Sequence, residues 1–269
     1  MIEDITEDHF KKPVKKFPSP IEPVRIRTYN WVEKFLISIR GIRDEKTKAL
    51  CENSLSLHCH YQFEEAIKVC KAGLSLAPDN LILKNQIVYS AYHLRNYKLA
   101  IPQVQELIKS NPKKDNINYK TTLAYMYDVV GEFDLASEIL DALLLQYPDN
   151  ATLFNNRGFN LAAQGKYTES IPYFEKALTI DSTMAFAYNN LGFSKFKIGQ
   201  IDEAISLVDK SLILHRGNSY AYKNKGIILM ETGNKEEALI HFKLALKYGY
   251  TEKYGDEVLQ LLSSHNPAN

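Results

Sequence analysis

Between Thr47 and Tyr250, apolar side chains return every third or fourth residue in runs of ordinary helix length, with short polar turns between them. That is the period of a helix burying one face. The runs also restate one another. NNRGFNLAAQG, Asn155 to Gly165, returns as NNLGFSKFKIG, Asn189 to Gly199, and again as KNKGIILMETG, Lys223 to Gly233, each 34 residues after the last. Units therefore begin at Thr47, Leu81, Ile117, Ala151, Ala185 and Ser219, giving 47–80, 81–116, 117–150, 151–184, 185–218 and 219–250. One start departs from the 34-residue spacing, by two residues around Lys114, Asp115 and Asn116, where a loop absorbs an insertion without disturbing helix phase.

Each unit predicts two helices about a turn. Gly131, Gly165, Gly199 and Gly233 stand where a left-handed cap would end the first helix, and Tyr61 and Arg95 take that place in the first two units. The twentieth residue is always small: Ala66, Ala100, Ala136, Ser170, Ala204 and Ala238. The eighth is Gly158, Gly192 and Gly226 in the last three units, Ala124 in the third, and Val88 and Ser54 earlier, so close helix approach is best specified towards the C-terminus. Pro78, Pro112 and Pro148 close the second helix at the thirty-second place, which Ser182, Arg216 and Tyr250 occupy later. Residues 1–27, interrupted by Pro13, Pro18, Pro20 and Pro23, read as a flexible arm. Trp31, Phe35, Leu36 and Ile39 predict an N-terminal helix within 28–46, and 251–265 predicts a capping helix with Val258, Leu261 and Leu262 turned inward.

A 34-residue helix-turn-helix with a small eighth residue, a glycine turn, a small twentieth and a closing proline resembles the tetratricopeptide repeat family over about residues 47–250, most specifically over Ala151 to Asn218. The resemblance implies an all-α, right-handed superhelical solenoid of about six units with an N-terminal helix and a C-terminal cap. It also implies a protein-interaction scaffold that holds an extended peptide or partner helix in a concave groove.

Composition narrows the partners. Lys and Arg total 33 against 32 Asp and Glu, so no net field draws the chain to nucleic acid or an anionic membrane. The basic cluster Lys11, Lys12, Lys15 and Lys16 has Asp4, Glu7 and Asp8 nearby to offset it. The first 30 residues lack the apolar run of a signal peptide or anchor, and Cys51, Cys59 and Cys70 cannot all pair within the chain, which points to the reducing cytoplasm.

If places four, seven, eight and eleven of the first helix pack inward, places two, five, six, nine and twelve face elsewhere. In tetratricopeptide stacks these line the groove. Place nine holds Leu55, Tyr89, Tyr125, Phe159, Phe193 and Ile227, and Tyr92, Phe186, Phe196 and Tyr220 lie at nearby places, so four consecutive units carry an aromatic there. The same spacing also serves core packing. Place six holds Asn156, Asn190 and Asn224, preceded in two units by Asn155 and Asn189, whereas Glu52, Gln86 and Thr122 stand there earlier. A primary amide can grip a peptide backbone whatever its side chains, as in the similar asparagine ladder of O-linked N-acetylglucosamine transferases. Such amides would be exposed until a peptide binds. The clamp that other tetratricopeptide domains use for acidic chaperone tails lacks its cations here, since Asn155, Phe159, Asn190, Tyr220 and Asn224 hold the matching places.

His58, Cys59 and His60, with Cys70 downstream, are the one cluster of metal-ligand type. Successive helical residues point about 100° apart and would not converge on one ion. With no phosphate loop, nucleophile elbow or metal-binding histidine pair, no cofactor and no catalysis are expected. A chaperone or assembly factor shielding a client, and a structural subunit using the aromatic surface for self-association, remain the alternatives to a peptide receptor.

Overall fold

The structure is a computed structural model that describes residues 42–110 and 116–264. The expected arm and most of the expected N-terminal helix lie outside the described residues. The described residues divide between two compact units, those up to residue 173 in one and those from residue 174 in the other.

The described residues of the first unit form helices α1 (Glu45–Cys59), α2 (Phe63–Leu76), α3 (Leu81–His93), α4 (Tyr97–Ser110), α5 (Ile117–Val130), α6 (Phe133–Gln146) and α7 (Ala151–Ala163). The division falls within α8 (Tyr167–Ile180). The second unit continues with α9 (Ala185–Lys197), α10 (Ile201–Leu214), α11 (Ser219–Glu231), α12 (Lys235–Lys247), α13 (Tyr250–Tyr254) and α14 (Glu257–Ser264).

Short polar side chains start several odd-numbered helices by accepting from backbone N–H groups that have no partner inside the helix. Asp44 accepts from Thr47 at 2.7 Å, Asn80 from Ile82 and Leu83, Asn150 from Leu153 and Asn218 from Ala221. Asn218 also explains how one boundary is set where the closing proline is missing, because its Nδ2 donates to Ser211 Oγ at 3.1 Å and ties the linker to α10.

One turn recurs six times. The residue just past the αL position donates its N–H five residues back, in Gln62 to Leu57, Asn96 to Ala91, Glu132 to Tyr127, Lys166 to Leu161, Gln200 to Lys195 and Asn234 to Leu229. That bond requires a left-handed residue before it. Gly131, Gly165, Gly199 and Gly233 supply it with φ of 87°, 77°, 85° and 90°, and Tyr61 and Arg95 supply it at 59° and 57° against the steric preference of an L side chain.

The small twentieth residues are shut off from water in every pair: Ala66, Ala100, Ala136, Ser170, Ala204 and Ala238 are all 0% exposed. In the first unit a core runs through Ile67, Ala91, Val104, Leu123, Met126, Leu140 and Leu153, beside a smaller cluster of Cys51, Leu55, Cys70, Leu83 and Ile87. In the second unit Phe242, Ala245 and Leu229 are closed by Tyr250 and Val258, with Leu261 and Leu262 packed against them. The cap differs from expectation in being split: Gly255, at φ 97°, separates α13 from α14, and Tyr250 donates its hydroxyl to Glu257 Oε2 at 2.7 Å across the break.

Candidate peptide-binding surfaces

In the first unit the rings of several helices join into one band. Phe63, at the start of α2, stacks on His93 at 4.8 Å and 9° between planes, and Tyr61 meets Phe63 edge-on at 6.1 Å. His93 lies 4.4 Å from Tyr89 and 6.1 Å from Tyr92; Tyr92 lies 6.1 Å from Tyr125, and Tyr125 lies 6.5 Å from Phe159. Tyr97 of α4 braces the middle, edge-on to Tyr92 at 5.9 Å and Tyr125 at 6.0 Å. These separations and tilts suit ring quadrupoles. Tyr89, Tyr92, Tyr125 and Phe159 keep part of their surface in water, and Tyr61 is 67% exposed. Desolvation holds the Tyr89 hydroxyl above the ordinary phenol range, and the rings packed on His93, though it is exposed, hold it below the ordinary imidazole range, so both are neutral near pH 7.

The second unit builds a different patch. Phe193 is half-buried and Phe196 is buried in a cluster with Ala204, Val208 and Ile228, so Phe196 serves the core. Phe186, also buried, faces the ring of His215 at 5.6 Å. Lys197 Nζ lies 4.8 Å from the Phe196 ring and 5.3 Å from Phe193, while Lys223 Nζ lies 4.5 Å from Tyr220 and 5.6 Å from Phe193. Each ammonium also has a carboxylate at 3.5 Å, Glu231 for Lys197 and Glu257 for Lys223. Tyr220 is part of the cap, 5.1 Å from Tyr254 and 6.1 Å from Tyr250.

The amides correct an expectation. Asn156, Asn190 and Asn224 are not exposed; they keep 3%, 6% and 0% of their surface, and Asn155 and Asn189 keep 2% and 0%. In the second unit they bond to one another, Asn224 Nδ2 donating to Asn189 Oδ1 at 3.0 Å and Asn189 Nδ2 to Asn190 Oδ1 at 3.3 Å, so neighbouring first helices are stitched by their own side chains. Asn155 Nδ2 donates to Asn156 Oδ1 at 3.4 Å. Two amide atoms, Asn156 Nδ2 and Asn224 Oδ1, are buried with no hydrogen-bond partner.

Known proteins settle the family. A family model described as tetratricopeptide repeat matches residues 121–185 and 190–251. A crystal structure of a tetratricopeptide repeat protein from Parabacteroides merdae matches with a TM-score of 0.72 at 17% identity, over 88% of this chain and 96% of that one. The chain is a tetratricopeptide repeat protein. The APC/C hetero-tetramer Cut9–Hcn1 shares the fold at a TM-score of 0.58 and 16% identity, over 86% of this chain and 45% of that one. A thermophilic repeat protein of Thermus thermophilus does so at 0.52 and 16%, over 68% and 99%. No curated protein matches the chain by sequence. Tetratricopeptide repeats generally mediate protein–protein interactions.

Two polar networks inside the repeats escaped the sequence reading. Asn160 Nδ2 donates to Asp128 Oδ1 at 2.5 Å and to Phe133 O at 3.1 Å, while its Oδ1 accepts from Arg157, Ser137 and Gln164. Arg157 is fixed in turn by Asp141, Nε to Oδ1 at 2.7 Å. Burial pushes the Asp128 carboxyl up to about 7, against the pull of Asn160 and Arg157. In the first two repeats His58 Nδ1 donates to Ser54 O at 2.6 Å and its Nε2 accepts from Ser90 Oγ at 2.6 Å, with Gln86 O at 3.2 Å. Cys70 lies 2.8 Å from Ser54 Oγ in the same network, whereas Cys59 and His60 are exposed, so the four side chains of the metal-like cluster do not converge. Desolvation keeps His58 neutral. The repeat period gave no signal for either, because His58 stands at place twelve and Asn160 at place ten, outside the places read as packing inward.

Proposed function

We propose that this tetratricopeptide repeat protein is a protein-interaction scaffold whose aromatic band, Tyr61 to Phe159, holds an extended peptide segment of a partner protein. The observation that carries the reading is the registry. Rings at place nine of α3, α5 and α7 are joined, through Tyr92 and His93, into one partly exposed surface, an amount of grouped apolar area that soluble chains keep for partners. Binding, not chemistry, is the task such a surface suits: Tyr89 and His93 are held neutral, and the rings offer flat faces for peptide side chains. The half-buried Phe193 and Tyr220 of the second unit extend the reading to a separate, lysine-flanked contact. A reducing cytoplasm suits the chain, since Cys51 and Cys70 are buried thiols pushed up to about 11 and 12 by desolvation and Cys59 is an exposed thiol.

Selection from a random peptide library tests it. The parent should enrich a shared apolar motif, and the Tyr125→Ala, Phe159→Ala double variant, at unchanged helical content, should enrich none. Enrichment of the same motif by both overturns the reading.

A further inference from the structure

Four of the six turns give their left-handed place to glycine, but between α3 and α4 Arg95 holds it at φ 57°, a backbone conformation that an L side chain resists. The guanidinium is exposed and forms no ion pair among the described residues, so no described contact accounts for an arginine there. Lys98, three residues on, is likewise exposed and makes no ion pair among the described residues.

Beside these cations the surface is hollow. Leu94, Tyr97, Val129 and Val130 join Arg95 and Lys98 around an open dent of about 630 Å³ between the start of α4 and the end of α5. Val129 is 40% exposed, so apolar surface is left in water beside two charges of one sign. No carboxylate lines the dent. Glu132, two residues beyond Val130, is exposed and pairs with neither cation among the described residues. An apolar hollow flanked by two cations is complementary to an acidic side chain that has an apolar neighbour.

Tyr97 joins the dent to the aromatic band. Its ring is 6% exposed, lines the dent, and lies 5.9 Å from Tyr92 and 6.0 Å from Tyr125. An extended peptide advances about 3.3 Å per residue, so one anchored on Tyr92 and Tyr125 reaches the cations within roughly two to four residues. Arg95 and Lys98 stand at places fifteen and eighteen, in the turn and the start of α4, apart from the first-helix places that a clamp for acidic chaperone tails would use.

We propose that Arg95 and Lys98 select the partner: the peptide held by the band carries an Asp or Glu about two to four residues from its apolar anchor, and that acid sits in the dent between the two cations. This rests on the reading of the band as a peptide surface. Charges at a wet rim act on encounter rate and on choice of partner more than on the strength of holding. Glycine at residue 95 would relax the turn and remove the charge, which is why a strained arginine stands there.

One random peptide library selected on three proteins is the test: the parent, an Arg95→Gly, Lys98→Ala variant and an Arg95→Glu, Lys98→Glu variant. Peptides taken by the parent should carry Asp or Glu about two to four residues from a shared apolar motif. The neutral variant keeps its turn, because glycine accepts the left-handed place, and should enrich the same apolar motif without the acid. The reversed variant should exchange the acid for Lys or Arg. For one acidic peptide of the parent's set, the association rate should drop about fivefold in the neutral variant at low salt, a difference that high salt removes. An acid preference unchanged in the neutral variant, or a parent set without acids, overturns the proposal while the apolar motif keeps the partner reading intact. Loss of the whole motif in the neutral variant also overturns it, because the two residues would then serve the band itself. A parent that enriches no motif overturns the partner reading and the proposal with it.

Discussion

Gly226 lies under the ring of Phe242, where an added Cβ would stand 2.5 Å from a ring carbon, and Gly192 would bring one to 2.9 Å from Ala204 O. Phe242 is 0% exposed and has no free volume to retreat into. Gly226→Ala should therefore cost about 1–3 kcal/mol by overpacking, read as a lower urea midpoint. A gain in stability, as an exposed helical glycine would give, contradicts the packing. Asp128 makes a second residue-scale prediction. Its folded carboxyl titrates near 7, above the ordinary 3.8, so ionisation favours the unfolded chain. Stability should fall as pH rises from about 4 to about 7 and then level off. Asp128→Asn should flatten that slope, leaving the midpoint unchanged at pH 4 and raising it at pH 8; an unaltered pH profile would show the carboxyl to be solvated. The small eighth residues were legible because a glycine at a fixed place repeats. Asp128 was not, because its burial depends on Asn160, 32 positions away in sequence.

At the scale of the element, six turns use one hydrogen bond, yet only four use glycine to make it. Arg95 is exposed at φ 57°, so its left-handed conformation is strained and its side chain shields little. Arg95→Gly should stabilise the α3–α4 pair by roughly 1 kcal/mol, less the entropy glycine adds to the unfolded chain, seen as slower hydrogen exchange in residues 81–110. Faster exchange there would mean that the guanidinium holds the turn. Turn positions could be read from sequence even where Tyr61 and Arg95 stand, because the period located them. The split cap could not: 251–265 reads as one helix in the sequence, and the break at Gly255 with the Tyr250–Glu257 bond across it belongs to the three-dimensional structure. The amides misled for a related reason. Place six was read as facing away from the core, yet the three amides are buried, and Asn side chains bond to their neighbours within and across helices, a pairing about which period says nothing.

For the whole molecule, helical pairing and family followed from repetition, whereas the surface that matters emerged only in three dimensions. Place nine marked Tyr89, Tyr125 and Phe159, but the links that make them continuous, His93 and Phe63 stacked at 4.8 Å and Tyr97 of the following helix, come from other places in the repeat. The account stands on those rings serving a partner before they serve the core. The direct measurement pairs thermal unfolding with capture of partners from an extract of the native cells, using the parent, the Tyr125→Ala, Phe159→Ala variant and a Lys225→Ala control in the other unit. The account predicts a discrete partner set held by parent and control and lost by the double variant, with a melting temperature within a few degrees of the parent's. Retention of the same partners by the double variant, or a stability loss near the roughly 3–5 kcal/mol of a fully buried phenylalanine, would contradict it.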